Sequence, residues 1–284
     1  MWYDFVEVHR GRWPVRLMCR ALRVSPGGYY DWRGRPTSDT ARSREALVVA
    51  IKAVHAEVKV RHGSPRIHAE LAARGMSCRV NTVARLMREH GIAAKTKRKF
   101  LCTTDSNHDR PAAEDVVDRD FEPTAANQTW TADITSISTN EGWLYLAAVE
   151  DLYSRQIVGW SMGPRIDGRL VVDALEMALA AGRPGEGLVA HSDRGGQYAS
   201  EHYQGLLARH EIACSMSRRA NCWDNAPMQS FFASLKKELT HGEIYATREE
   251  ARASIFAYIE VFFNRVRRYS SLGYLSPVEY ERAG

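Results

Sequence analysis

The chain has 284 residues, 44% of them apolar and 26% charged, with 20 glycines and 10 prolines, the proportions of a folded protein and not of a disordered or fibrous one. That length suits a small domain followed by a larger one, because single cores stop growing at roughly 100–200 residues. No apolar run approaches the roughly 18 residues that cross a bilayer, and the N-terminus lacks the basic-then-apolar layout of a signal peptide, so a soluble, cytoplasmic protein with no membrane partner is expected.

The net charge of +5 conceals a split. Residues 1–110 hold 22 Lys/Arg against 10 Asp/Glu, a net of +12, and residues 111–284 hold 17 against 24, a net of −7. A small basic region is the electrostatic footprint of phosphate-backbone binding, and an acidic region on the same chain suggests carboxylates gathered for a cation. A solvated basic surface would leave the same count. The five cysteines, Cys19, Cys78, Cys102, Cys214 and Cys222, are odd in number and scattered, without a C-x-x-C pair. They read as reduced, structural thiols and not as a disulfide framework or zinc site.

Pro14 to Leu22 carries apolar residues at helical spacing, and Ser25-Pro26 supplies an N-cap with proline in the first turn of a second short helix. The aromatic cluster Tyr29-Tyr30-Asp31-Trp32-Arg33 closes a small core or stacks on nucleic acid, with the core favoured. From Ser43 to His55, Leu47, Val48, Ile51 and Val54 fall on one helical face. Arg66 to Leu71, a turn at Gly75-Met76-Ser77, and Val80 to His90 form a helix-turn-helix pattern with Val83, Leu86 and Met87 facing inward. Arg79, Asn81, Arg85 and Arg88 then lie on the open face, placed to meet phosphates or base edges in a major groove. A plain three-helix bundle has the same periodicity; the basic excess favours DNA. The run Lys95, Lys97, Arg98 and Lys99 is a further candidate for phosphates, and 101–126 reads as a linker.

Beyond the linker, Gln128 to Ile137, Gly142 to Asp151 and Arg155 to Met162 are rich in β-branched and aromatic residues and form an antiparallel meander. Asp133 stands in mid-strand, where an unpaired carboxylate is costly. Asp167 to Ala181 is an amphipathic helix that buries Leu170, Val171, Ala174, Leu175 and Ala178, and Gly187 to Ser192 is a short apolar strand. Asp193 follows that strand's carboxyl end, a common place for active groups in open α/β sheets. Ser200 to His210 is a helix, Ile212 to Ser215 a strand, and Asn221 to Pro227 a loop feeding a capped helix that carries Gln229. Thr247-Arg248-Glu249-Glu250 reads as a capping box whose helix runs through Ile255, Phe256, Ile259 and Phe263 toward Asn264.

Several stretches in this order resemble one family, the DDE transposases of bacterial insertion sequences, and specifically the second reading-frame product of two-frame elements. They are Asn127-Gln128-Thr129-Trp130-Thr131-Ala132-Asp133-Ile134-Thr135, Gly142-Trp143-Leu144-Tyr145-Leu146, His191-Ser192-Asp193-Arg194-Gly195-Gly196-Gln197-Tyr198, Asp224-Asn225-Ala226, Ser230-Phe231-Phe232 and Tyr274-Leu275-Ser276-Pro277-Val278-Glu279. The resemblance covers nearly the whole chain. It implies an α/β, ribonuclease-H-like catalytic core similar to that of retroviral integrases, with a mixed five-stranded sheet and flanking helices, preceded by a small all-α helix-turn-helix region. The implied layout is a DNA-binding region at 1–100, a linker at 101–126, the core at 127–264 and a basic, aromatic tail at 265–284.

The family carries a third carboxylate 35 residues beyond the second, and here 35 residues separate Asp193 from Gln229. The resemblance therefore implies Asp133 and Asp193 as ligands of two Mg²⁺ or Mn²⁺ ions, with position 229 as the third ligand had it been glutamate. Gln229 keeps the shape and loses the charge, so the chain as written is expected to fold, to bind DNA and to be catalytically dead or nearly so. One base change or a deliberate inactivation produces that substitution.

Lys236, two helical turns past Gln229, either contacts a phosphate near the scissile bond, as the resemblance implies for a basic residue at this spacing, or is an ordinary surface lysine. His191 orients Asp193, binds DNA or is a satisfied core histidine; Asn221, Asp224 and Asn225 are candidates to line the site, and helix capping accounts equally for Asp224 or Asn225 without chemistry. Two DNA ends must be joined, so the resemblance implies a homodimer or larger synaptic assembly on double-stranded DNA, a fusion to an upstream reading-frame product, and a bacterial, nucleoid-associated location. A metal nuclease that does not join strands, and a non-enzymatic DNA-binding repressor, are the alternatives.

Overall fold

The computed structural model describes residues 2–36, 38–95, 123–182, 184–217 and 225–284, which pack as two compact units, Met1–Val54 and His55–Gly284. Lys97, Arg98, Lys99, Cys102, Cys222, Asn221, Asp224 and most of the expected linker lie outside the described residues.

In the first unit, α1 (Trp2–His9), α2 (Val15–Ala21) and α3 (Pro26–Gly34) gather around Val6, Met18, Cys19 and Tyr29. The expected pair is α2 and α3, with Ser25 Oγ accepting from Gly28 N at 3.2 Å as the N-cap. The aromatic cluster does close this core: Tyr29 is fully buried and Trp32 packs against it. The helix α4 (Asp39–Glu57) buries Val48, Ile51 and Val54.

The second unit opens with α5 (Ser64–Ala73) and α6 (Val80–Glu89), joined by a turn in which Gly75 takes φ +78°. Only Val83, Leu86 and Met87 of α6 are buried, as the 3.6-residue period requires. Five strands follow: β1 (Thr129–Thr139), β2 (Gly142–Asp151), β3 (Ile157–Gly163), β4 (Val189–Ser192) and β5 (Ala213–Met216). Their order is β3-β2-β1-β4-β5, antiparallel across β3-β2-β1 and parallel across β1-β4-β5. This is the mixed sheet of a ribonuclease-H-like core.

The meander forms because tight connections suffice for antiparallel neighbours, whereas β1 to β4 requires a crossover. That crossover is α7 (Gly168–Gly182), which buries the five residues its periodicity named. It lies so close to β3 that a side chain at Gly159 would stand 2.3 Å from Ala174 O. With α8 (Glu201–Arg209), α7 covers the face that carries Trp130, Ala132, Ala147 and Val149. The opposite face, with Ile137, Leu144, Leu146 and Ala148, packs on α9 (Ala226–Leu235) and α10 (Arg248–Phe256). Both of these helices run on into π-helical segments, Lys236–Thr240 and Ala257–Phe263. A last helix, α11 (Pro277–Ala283), completes the chain.

One local expectation is corrected. Thr247 caps α10 by accepting from Glu250 N at 3.1 Å, but the Glu250 carboxylate reaches back to Ala246 N at 2.8 Å instead of to Thr247, so only half of a capping box forms. The full box is at Ser276 and Glu279. In the basic, aromatic tail two arginines turn inward. Arg267, 4% exposed, ion-pairs with Glu238, itself 3% exposed, and Arg268 pairs with Glu70 and Glu279. Glu238 also receives Arg66 of α5 at 3.2 Å and the Tyr258 hydroxyl at 2.9 Å, so one buried carboxylate ties the helix-turn-helix segment and the tail to the core. Burial alone would raise the Glu238 carboxyl; the surrounding arginines outweigh it and hold the group below the usual range.

Candidate active site

Alternation along β1 sends Trp130 and Ala132 toward α7 and leaves Asp133 on the α9 side of the sheet. β1 and β4 are parallel neighbours whose last paired residues are Ala132 and Ser192. The next residue on each chain is an aspartate, so register alone brings Asp133 and Asp193 side by side at the carboxyl end of β4. Asp133 is 7% exposed; its Oδ1 accepts from Ile134 N at 2.7 Å and its Oδ2 from Gln229 Nε2 at 3.0 Å. Asp193, half-buried, accepts from Gly195 N at 2.9 Å, and a side chain on Gly195 would stand 2.8 Å from the same oxygen. Glycine at 195 is thus what lets the backbone fold under the carboxylate.

Burial first, and then the facing Asp193 carboxylate, raise the Asp133 carboxyl far above its ordinary value, against the opposing pull of Ile134 N–H, the Lys236 ammonium and the Gln229 amide. Two acidic groups that repel across a partly closed cleft form a site that a cation would relieve. Lys236 is near enough to act on Asp133, as its spacing from Gln229 suggested, and begins the π-helical segment after α9. Gln229 is exposed, so the cleft opens to solvent at this corner.

The start of α9 is fixed by Asn225. This side chain, 4% exposed, accepts from the Thr131 hydroxyl and donates from Nδ2 to Ala132 O at 3.2 Å, while making no capping bond to its own helix. Asn225 therefore clamps α9 onto β1 directly beside Asp133, and Gln229 follows one turn later on the same side. Of the two readings of Asn225, lining the site or capping the helix, capping is not what it does: the side chain bridges α9 to β1 beside Asp133. An asparagine two residues before a proline at a helix start looks the same in sequence whichever role it has.

His191 is 1% exposed, with Nδ1 at 2.9 Å from Ser215 Oγ and Nε2 at 3.1 Å from Ser217 Oγ, which settles it as a satisfied core histidine. Asn127 opens β1 by donating its N–H to Asp151 at 2.6 Å and accepting the Trp130 indole at 3.1 Å, so that motif is architectural. Arg79, Asn81, Arg85 and Arg88 are all exposed, the last three at i, i+4 and i+7 on the face of α6 opposite its buried residues. Lys95 is half-buried and ion-paired with Glu243 at 3.6 Å, which diverts it from a free phosphate-binding role. Among the described residues no three His, Cys, Asp or Glu side chains come together as a metal cluster, because the third corner of the Asp133–Asp193 site is an amide.

Comparison with known proteins supplies the relatives of this arrangement. Models of the integrase core domain match residues 123–222 and 229–283, and a model of an HTH-like domain matches 42–100. The chain is 44% identical over 283 residues to the transposase InsF for insertion sequence IS3A of Escherichia coli (strain K12), covering 99% of this chain and 98% of that one. It is 43% identical over 263 residues to an insertion element IS600 31 kDa protein of Shigella sonnei, covering 93% and 97%. Among solved structures it is similar to a simian T-cell lymphotropic virus intasome, at 15% identity and a TM-score of 0.48 over 83% of this chain and 75% of that one. A second is the HTLV-2 integrase catalytic core domain in complex with magnesium, at 13% identity and a TM-score of 0.43 over 56% and 98%. The sheet order, the spacing of positions 133, 193 and 229, and full-length identity to curated relatives converge: the chain belongs to the integrase-core transposases of IS3-type bacterial insertion sequences.

Proposed function

We propose that this transposase binds the ends of its mobile element through α6 and performs strand cleavage and strand transfer at the Asp133–Asp193–Gln229 cleft, with this particular chain inactive or nearly so. In that reaction water opens a phosphodiester at the element end, and the 3′-hydroxyl left behind attacks a phosphodiester of the target. The observation that carries the reading is the adjacency of Asp133 on β1 and Asp193 just past the end of the parallel β4, with Gln229 bonded to Asp133.

The donor set fits a hard divalent cation in two of its three corners. Asp133 and Asp193 offer charged oxygens, as Mg²⁺ or Mn²⁺ prefers, while Gln229 offers an amide whose N–H already engages Asp133. When bound there, a pair of such ions would supply activation of the attacking oxygen and neutralisation of the leaving one. The residues' own contribution is positional: Asn225 and the β1–β4 register set the carboxylate spacing, and Lys236 is placed to receive a phosphate. Residues up to 100 serve DNA binding in this reading and 127–264 the chemistry, in a homodimer or larger assembly that holds two element ends, with an upstream reading-frame product fused in the active form.

The test compares this chain with Gln229→Glu on labelled element-end duplex in Mg²⁺ and in Mn²⁺, scoring nicked and joined strands. Cutting and joining by the glutamate form alone is the expected result. Nicks without joined product would favour a nuclease, and DNA binding indifferent to metal with no cleavage in either form would favour a repressor. Efficient joining by the unaltered chain would overturn the assignment of position 229.

A further inference from the structure

The first unit holds a second helix-turn-helix, distinct from α5–α6 and outside the span of the HTH-like match, which begins at residue 42. Its first helix, α2, buries Met18 and Cys19 in one core with Tyr29 of α3, with Val15, Leu22 and Trp32 packed partly buried against it, and a four-residue turn, Leu22 to Ser25, joins the two helices. Arg23 takes the left-handed conformation at φ +54°, and the Val24 N–H closes the end of α2 on Cys19 O at 3.0 Å. α1 braces the pair: a side chain on Gly28 would stand 2.4 Å from the Tyr3 hydroxyl, so α1 and α3 are in close contact there.

The surface formed by residues 2–36 is net basic. Residues 2–36 contain seven arginines, no lysine and three carboxylates. All seven arginines are exposed. Glu7 is shared by Arg10, Arg33 and the Tyr29 hydroxyl, whereas no carboxylate among the described residues pairs with Arg16, Arg20 or Arg23. Arg16 and Arg20 lie one turn apart on α2, and Arg23 follows at the turn.

The outward face of α3 is slender. Gly27, Tyr30, Asp31 and Gly34 recur at i, i+3, i+4 and i+7 and are all exposed. Gly34 has nothing within 4 Å of where a side chain would be, and Gly27 only Ser25 Oγ at 3.6 Å, so packing requires glycine at neither position. A helix with a narrow face, preceded by one whose arginines pair with no carboxylate among the described residues, matches the division of labour in which the first helix crosses the phosphate backbone and the second enters the major groove.

We infer that α2 and α3 form a second DNA-reading module, with Arg16, Arg20 and Arg23 on phosphates and Tyr30 and Asp31 at base edges of duplex DNA. The inference rests on the DNA-binding reading above and adds a separate contact to it. Asp31 suits acceptance from a cytosine amino group, and Tyr30 presents a hydroxyl and an apolar ring to the groove. A transposase with two such modules would read two neighbouring segments of one element end.

The test uses the full chain with a labelled duplex from the element end and a scrambled duplex of the same composition. Binding is measured across a salt series and mapped by hydroxyl-radical footprinting. Replacing Arg16, Arg20 and Arg23 together by alanine should lower the slope of log affinity against log salt by about 2.7 and erase one patch of protection. The same three positions as lysine should keep the slope, which separates lost charge from lost folding. Tyr30→Ala with Asp31→Ala should shrink the preference for the element end over the scrambled duplex. As a separate arm, Arg85→Ala with Arg88→Ala should lower the slope by about 1.8 and erase a different patch. If the Arg85/Arg88 form weakens binding while the triple alanine form keeps the parent slope and footprint, the DNA-binding reading stands and the second module is refuted. If the parent chain binds neither duplex at low salt, both fall together.

Discussion

Gln229→Glu exchanges an amide for a carboxylate at constant length, and its effect on stability can be worked out before any activity is measured. Gln229 Nε2 donates to Asp133 Oδ2 at 3.0 Å. Hydrogen bonds to a charged acceptor contribute about 1.5–3 kcal/mol, and the exposure of Gln229 holds this one to the lower end, about 1.5 kcal/mol. An ionised glutamate cannot donate, and it adds a third negative group to a pair whose repulsion already raises Asp133. In chelator at mildly alkaline pH the variant should therefore melt below the parent by about 3–6 °C, taking about 2–4 °C per kcal/mol for a unit of this size. As the pH falls the deficit should shrink, because Asp133, with its raised proton affinity, takes up a proton and restores a donor between two carboxyls. With Mg²⁺ or Mn²⁺ at about 100 times its Kd, binding returns about 2.7 kcal/mol, so the glutamate form should recover and overtake, and the parent should gain less. Differential scanning fluorimetry in chelator and in each metal reads all of this. A glutamate form as stable as the parent in chelator, and indifferent to both metals, would refute the shared cation site.

Three further outcomes follow from the structure. Asn225→Ala removes both bonds that clamp α9 to β1 and leaves Thr131 Oγ1 and Ala132 O without those partners, at a cost of about 2–3 kcal/mol; in the Gln229→Glu background strand cleavage should slow while duplex affinity holds, and an unchanged cleavage rate would deny the positioning role. Glu150 is wholly buried on β2 with neither carboxyl oxygen hydrogen-bonded among the described residues, and burial pushes it up to about 8. Its folded form holds the proton, so stability is full below the ordinary carboxylate range and drains away as pH rises toward about 8; Glu150→Gln should gain about 3 kcal/mol in urea unfolding at about pH 7 and almost nothing at about pH 4.5, and equal gains at both would count against this. Glu238→Gln strips the charge that faces buried Arg267 and Arg66 and should cost about 3–5 kcal/mol, partly recovered when Arg267 is also replaced by methionine; a loss under about 1 kcal/mol would show that the cluster is not a stabilising contact.

What the sequence determined was local. A period of 3.6 residues named the five buried positions of α7 and the three of α6, alternation placed the meander, and Ser25-Pro26 marked the start of α3, because each of these depends on residues within a few positions of one another. The spacing of Asp133, Asp193 and position 229 was equally legible, since it is a pattern along the chain. α1 went unread because its apolar residues are spread around the helix, with only Val6 fully buried. The rest belongs to the tertiary structure. Arg267 and Arg268 belong in sequence to a basic, aromatic tail and turn inward to Glu238, Glu70 and Glu279; among the described residues the same charges on Arg16, Arg20 and Arg23 pair with no carboxylate, and they stay outside. A side chain's charge is written in the sequence, but whether protein or solvent answers it depends on residues up to two hundred positions away, as Arg268 and Glu70 show. Asn225 makes the same point at the active site: its composition suits a cap, and only the packing of α9 against β1 turns it into the clamp that sets Gln229 beside Asp133.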